Sequence, residues 1–408
     1  MTQKDTSTVR ELAKRYMALV CTDKQEKMIG RFRDTNDLKL VRPPVILDEI
    51  PWYQMDMNGE LTCVCEDPSV RKVELYFRKA IFYMMHFKAD HLYEPFFRVD
   101  RAVNSTGIGI NPRSADIKRT DDINNIVSRE FEDVLEDESA LEQLHDPVFT
   151  LCPDKDAENM AFYTELLGDS IPIKLSGFNY FYFAPWDTIT RFRGVEPILM
   201  DMFDRPEYLH AIIKKFVSAA HAELDFVEKN LDITLSSSLH CTPSAVSGLA
   251  KDGLKATWCR SMAQTFGVIS PSMFEEFEVD YLHSVADRFA YTYYGCCEPL
   301  DDKISKLKKI KNLRKLGCSP WASVEKCAEQ IGGDFVLARK PNPANVAICT
   351  DPEVIRRETE ETVKACIKYG CPYDIVLKDI STVSNRPENL IVWAQAVSDV
   401  LDKYYDER

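Results

Sequence analysis

No run of about 18 apolar residues occurs anywhere in this 408-residue chain, so a membrane-spanning helix is not expected. The opening Met-Thr-Gln-Lys-Asp-Thr-Ser carries charge but no apolar stretch, so the expectation is a cytoplasmic protein without a secretory signal. Positive charge is short too. With 51 Lys and Arg against 65 Asp and Glu, the net charge of −14 disfavours binding to nucleic acid or to acidic membranes. Familiar motifs are missing as well. There is no P-loop, no GxSxG elbow and no HExxH, and Gly107-Ile-Gly-Ile stands in the wrong context for a dinucleotide fingerprint. Nicotinamide oxidoreductases, kinases and common hydrolases lose support accordingly. No Gly-, Ser- or Pro-rich linker interrupts residues 75–405, and no low-complexity segment or short repeat is visible. An odd count of thirteen cysteines, with few paired spacings, argues against a disulfide framework and for a reducing compartment.

What is present is an alternation. Helical spacing, with apolar residues three and four apart, marks Val70 to Phe87, Pro206 to Leu231, Pro271 to Ala290, Val324 to Gln330, Pro352 to Tyr369 and Pro387 to Tyr405. Strand-like runs fall at Pro172 to Leu175, Ala256 to Trp258, Ala290 to Tyr294, Asp334 to Ala338 and Asp374 to Leu377; the last two are continuously apolar, which suits parallel strands covered on both faces. Helix starts are marked by Asp204-Arg-Pro-Glu, Ser270-Pro-Ser, Thr350-Asp-Pro-Glu and Asn385-Arg-Pro-Glu, each joining a capping residue to an early proline and an acid. Strand followed by capped helix predicts an α/β fold with a parallel sheet, read as one barrel spanning residues 71–408 behind an N-terminal helical and irregular extension, residues 1–70. The basic run Lys303 to Lys315, with Ile304, Leu307, Ile310 and Leu313 at intervals of three, reads as an amphipathic surface helix. The acidic run Glu130 to Asp146 reads as solvated helix surface.

Chemistry-bearing residues gather where strands should end. Tyr291-Thr-Tyr-Tyr-Gly-Cys-Cys-Glu298 is the richest such stretch: a β-branched and aromatic run stops at a glycine and is followed by two thiols and a carboxylate. Thiolates are soft metal ligands and nucleophiles, and barrels build sites from the C-terminal ends of their strands. Other strand ends carry His240-Cys241, Trp258-Cys-Arg260, Arg339-Lys340 and Lys378-Asp379. Each taken singly is commonly structural; their recurrence points to an active-site ring. The aromatic stretch Phe178 to Trp186, with Arg191 and Arg193 beyond it, could be core or could wall a flat ligand.

Three segments give the chain a resemblance to a known family. Trp258-Cys-Arg-Ser-Met-Ala-Gln-Thr-Phe-Gly-Val-Ile-Ser-Pro-Ser-Met-Phe-Glu-Glu-Phe277, Tyr293-Tyr-Gly-Cys-Cys-Glu298 with Leu316-Gly-Cys-Ser-Pro-Trp321, and Asn385-Arg-Pro-Glu-Asn-Leu390 together make it resemble the uroporphyrinogen decarboxylase superfamily, which includes corrinoid-dependent methyltransferases. The resemblance implies a (β/α)8 TIM barrel. It also implies a site at the C-terminal strand ends and, for the methyltransferase branch, a zinc ion held through an HxC motif and a later cysteine. Here Tyr294-Gly295-Cys296 lies on that motif, keeping the cysteine and losing the histidine, while Asp379 falls near the later cysteine. The decarboxylase's arginine pair has no counterpart in Asp48-Glu-Ile-Pro-Trp-Tyr-Gln54, so decarboxylation of uroporphyrinogen is not expected.

The leading expectation is therefore a methyltransferase or demethylase component. It would exchange a methyl group between a small-molecule donor or acceptor and a separate corrinoid protein. Cys296, Cys297, Glu298 and Asp379 are the expected catalytic residues and zinc ligands. Tyr180, Phe181, Trp186, His240, Trp258 and Tyr294 are expected around the substrate, with Arg193, Arg260 and Lys340 orienting an anionic group. The alternatives are a metal-free decarboxylase or lyase for an aromatic or tetrapyrrole-like acid, and a corrinoid- or tetrapyrrole-binding protein without catalysis. A homodimer is left open.

Overall fold

A computed structural model of the chain describes residues 1–116, 129–233, 253–348 and 351–405. Its centre is a parallel sheet of seven strands: β1 (Val45–Leu47), β2 (Phe181–Phe183), β3 (Trp258–Ser261), β4 (Tyr291–Tyr294), β5 (Leu313–Cys318), β6 (Val336–Arg339) and β7 (Tyr373–Leu377). Their spatial order is β1-β7-β6-β5-β4-β3-β2, every neighbouring pair parallel. Helices return the chain between strands, as parallel pairing requires. Val324–Ile331 joins β5 to β6 and Pro352–Tyr369 joins β6 to β7, while Glu388–Tyr404 follows β7. On Pro352–Tyr369 the buried side chains Ile355, Thr359, Thr362, Val363 and Cys366 make one inward stripe.

The closed eight-stranded barrel is met only in part. Among the described residues the sheet curls into a half-barrel whose edge strands β1 and β2 are not hydrogen-bonded to each other. The chain between them spends its short strands elsewhere: Phe97–Asp100 pairs with Ile173–Ser176, and Val103–Ser105 and Ser114–Asp116 make antiparallel ribbons with Phe149–Leu151 and Arg129–Phe131. The sheet also starts earlier than expected. β1 lies within the segment read as an N-terminal extension, where only three residues after Pro43-Pro44 pair with β7. Ahead of it stand two helices, α1 (Gln3–Val20) and α2 (Asp23–Asn36); α3 (Pro68–His86) follows it, and α1 and α3 share a core around Val9, Tyr16, Val70 and Phe77.

Both charged runs fold differently from their reading as helices. The basic run is helical only over Ile304–Leu307 and enters β5 at Leu313; its four spaced apolar residues are all buried. The acidic run forms a short strand and the 3-10 turn Glu138–Gln143, where Asp137 accepts from Ser139 N and Asp133 is taken up by Arg193. The helix expected from Pro271 is interrupted by a π turn at Glu275–Val279, which brings Phe274, Phe277 and Glu278 to the interior. Among the described residues no helix is long and apolar enough to cross a membrane.

The inside of the half-barrel is more polar than aliphatic packing alone would make it. Trp258, Tyr293, Ala338 and Val376 cluster there, with Tyr180 against them. Beside them Lys315 and Asp374, both fully buried, form an ion pair of 2.5 Å. Burial raises the Asp374 carboxyl, and Lys315 opposes that shift. Removing one partner strands a charge in a dry interior. Lys315→Met is expected to lower the unfolding free energy by about 3–5 kcal/mol in urea titrations, and Lys315→Met/Asp374→Leu to recover most of that loss.

Candidate active site at the strand ends

In a flat sheet the ends of β4 and β7, three strands apart, would stand roughly 14 Å from each other. Curling brings them into contact. The segment after β4 carries Gly295, Cys296, Cys297 and Glu298; the segment after β7 carries Lys378 and Asp379; Glu49 comes from the end of β1. Cys297 Sγ donates to Asp379 Oδ2 at 2.8 Å and lies 3.6 Å from Cys296 Sγ. Lys378 Nζ sits among them, 3.2 Å from Cys296 Sγ, 3.6 Å from Cys297 Sγ, 3.1 Å from Asp379 Oδ1 and 3.5 Å from Glu49 Oε2. Cys296 and Lys378 are buried, whereas Cys297 is half-buried and is the thiol a ligand can reach.

Local backbone geometry sets this arrangement. Gly295 has φ 97°, and a Cβ there would come within 2.4 Å of Leu300 Cδ1, so only glycine makes the turn that starts the dithiol. Its carbonyl accepts from Arg260 Nη2 at 2.8 Å and from Lys340 Nζ at 3.2 Å. Asp379 and Glu49 each stand two residues past a strand end with positive φ, 57° and 50°, where non-glycine residues are uncommon. They hold each other there: Asp379 N donates to Glu49 Oε2 at 2.9 Å. Strain of about 1–3 kcal/mol per residue is typical of such positions and gathers at functional sites.

Charge states follow from the same contacts. Contact with the Cys296 sulfur first, and burial next, push the Cys297 thiol well above its ordinary range. Burial works against the Lys378 ammonium, yet the two sulfurs and then Glu49 and Asp379 outweigh it, so the amine titrates higher than a free lysine. The Asp379 carboxyl is drawn down, because the interactions it accepts from Cys297 and Glu49, and the charge of Lys378, overcome its burial. At neutral pH the cluster is thus a protonated thiol between a lasting cation and a lasting carboxylate.

A zinc ion does not fit this donor set. The space between both sulfurs and Asp379 holds the Lys378 ammonium, a cation where a dication about 2–2.5 Å from its ligands would have to sit. Glu298 turns away: its Oε2 accepts from Cys296 N at 2.9 Å, and burial raises its carboxyl. Among the described residues no group of three His, Cys, Asp or Glu side chains is arranged to hold a metal.

Of the residues singled out from the sequence, the structure brings together Cys296, Cys297 and Asp379, with Glu298 adjoining through the backbone. Arg260 and Lys340 lie directly beneath, but they secure the Gly295 carbonyl rather than facing a ligand; Arg260 also stacks 3.8 Å from the Tyr293 ring centroid. Trp258 and Tyr180 belong to the barrel interior. Tyr294 points to the opposite face and donates to buried Glu278 at 3.1 Å. Phe181 stacks between Phe183 and Phe289, and Trp186 is fully buried, donating to Phe277 O at 2.8 Å. Arg193 is consumed by Asp133 and Asp201, each at 2.6 Å. These last three are core, for the ordinary reason that aromatic runs and paired arginines fill interiors. His240 lies outside the described residues. Sequence reasoning left Lys378 and Glu49 without a role and passed over Asp187, a carboxyl pushed up to about 6 by burial and by the charge of Cys296. Lys378 could have been found from its place beside Asp379 at a strand end; nothing local marked the other two.

No protein-family profile matches the chain, and no curated protein does. Solved structures do: a methyltransferase from Methanosarcina mazei is similar with a TM-score of 0.50 and 12% identity, over 93% of this chain and 99% of that one. At such identity the likeness concerns the fold alone.

Because Cys296 is the main cause of the raised Cys297 thiol, Cys296→Ser should release it. Each unit of downward shift gives about tenfold more thiolate at a pH below both values. Alkylation of Cys297 by iodoacetamide at pH 8, followed by peptide mass spectrometry, is expected to speed up about tenfold in Cys296→Ser and to slow about tenfold in Lys378→Met.

Proposed function

We propose that this protein is a methyl-transferring enzyme of the uroporphyrinogen decarboxylase superfamily. It moves a methyl group between a small substrate and a corrinoid carried by a separate protein. Two independent supports meet in this reading: the fold shared with a methyltransferase, and the sequence segments around Trp258, Cys296 and Asn385. The observation that carries it is the Cys297–Lys378–Asp379 cluster at the mouth of the curled sheet.

The protonation pattern selects the role. A thiol held protonated is a poor nucleophile, but it still carries a proton that it can give to the stronger base formed as a bond to a methyl group breaks. In the demethylating direction the bond between the methyl carbon and its heteroatom breaks, with the electron pair leaving on the heteroatom and the methyl passing to the reduced corrinoid co-substrate. The heteroatom takes the proton from Cys297 Sγ. The sulfur left negative is stabilised by Lys378, 3.6 Å away, until solvent returns a proton. Asp379 orients the S–H and keeps Lys378 charged. In the reverse direction the same thiol, once deprotonated, receives the proton of the methyl acceptor. Free thiols, as all the described cysteines are, suit a reducing cytoplasm, where we place the protein. A metal-free decarboxylase would need arginines facing the ligand, and Arg193 and Arg260 are engaged elsewhere.

Free reduced cobalamin can stand in for the corrinoid protein. Its methylation in the presence of a panel of methyl ethers, methylthiols and methylamines is expected to change the visible spectrum with at least one donor class. Cys297→Ala should lower kcat about 100-fold or more with little change in KM, the usual scale for loss of a general acid. Absence of exchange with every class, or full activity in Cys297→Ala, would remove the reading.

A further inference from the structure

Next to the thiols a cleft of about 750 Å³ opens between the segment after β1, helix α3 and the segment after β7. Its walls are largely apolar: Ile50, Trp52, Leu61 and Leu75, with Ile380 opposite. Trp52 is fixed edge-on against Phe82, ring centroids 6.1 Å apart, so it offers a rigid flat surface. Tyr53 ties the two walls by donating its hydroxyl to Ser381 O at 2.7 Å. Asp379, which holds the Cys297 thiol, lines the inner end.

Three carboxylates border the cleft, and all are already engaged. Glu49 accepts from Asp379 N, and Asp379 accepts from Cys297 and Lys378. Asp56 accepts from Leu61 N at 2.9 Å and Thr62 Oγ1 at 2.6 Å. Lys79, the one cation among the described lining residues, differs. Within the described residues it makes no hydrogen bond or ion pair, and its ammonium rests 5.5 Å from the centroid of Trp52. Burial lowers the charged state's stability there, against a smaller opposing pull from Cys63. A partly buried ammonium without an anion, beside a fixed aromatic plane, is complementary to a flat anion.

We propose that this cleft is the small-substrate site and that it takes an aromatic carboxylate, with the carboxylate on Lys79, the ring against Trp52 and the reacting end at Asp379 and Cys297. The assignment of the reacting end rests on the methyl-transfer reading; the ligand class rests on the cleft itself. The test titrates the full chain with benzoate and with benzamide, its uncharged counterpart, by calorimetry. Benzoate is expected to bind about tenfold tighter or more, as a charge-assisted hydrogen bond confers. Lys79→Gln should erase that preference while leaving benzamide binding unchanged, which also reports an intact cleft. Saturating benzoate should slow the alkylation of Cys297 by iodoacetamide. Equal binding of the two probes, a preference that survives Lys79→Gln, or an unprotected Cys297 overturns the proposal. None of these readouts needs a corrinoid or turnover. Methyl transfer that fails while Lys79-dependent benzoate binding persists removes the function and keeps the ligand class; the opposite outcome does the reverse.

Discussion

The carbonyl of Gly295 accepts from both Arg260 and Lys340, and the position of the two thiols depends on that double hydrogen bond. Both donors are buried cations, so each charge-assisted bond is strong and costly to lose. The turn has no slack. Gly295 packs against Gly317 of the neighbouring strand, where a Cβ would come within 2.8 Å of both the Gly295 carbonyl and Lys340 Nζ. Two glycines on adjacent strands thus let two cations reach one oxygen. The barrel interior below continues the pattern, with Arg260, Lys315 and Lys340 all within 6 Å of the Tyr293 ring centroid. Tyr293 and Asp374 make this concentration of positive charge tolerable in a dry core.

Above that floor the site is a balance of opposite charges held at strained backbone positions. Lys378 supplies from the protein itself the positive charge that a metal would bring, and it answers to two sulfurs and two carboxylates at once. The consequence is chemical. A zinc-bound thiolate would be a nucleophile, whereas a thiol kept protonated next to an ammonium is not. In the reaction proposed above, the same residue types carry a different step because the cation is an amine.

How much of this was legible in the chain differs by level. Elements with strong periodicity emerged with nearly their observed bounds: Pro206–Asn230, Val324–Ile331 and Pro352–Tyr369 as helices, and the runs ending at Tyr294 and Leu377 as strands. Charge runs misled in part: the acids from Glu130 to Asp146 are solvated but not α-helical, whereas Lys315 at the end of the basic run is paired inside, and a charge pattern does not say which way it faces. The two cysteines stood out through the glycine before them. Lys378 did not, since a lysine after an apolar strand is usually a solvated end. Aromatic and arginine residues from Phe181 to Arg193 drew attention by type, yet Asp133 and Phe277, which bind Arg193 and Trp186, stand 60 and 91 residues away.

By itself the sequence determined the α/β alternation, the parallel sheet and the presence of thiols at a strand end, because hydrophobic period, capping residues and the Gly-Cys-Cys turn are local properties. Tertiary structure alone decided the rest. The curl of the sheet sets β4 against β7, burial and neighbouring charge settle which groups keep their protons, and the meeting of α3 with two strand ends leaves Lys79, among the described residues, at a cleft with no ion-pair partner of its own. Those are through-space quantities, and no local spacing encodes them.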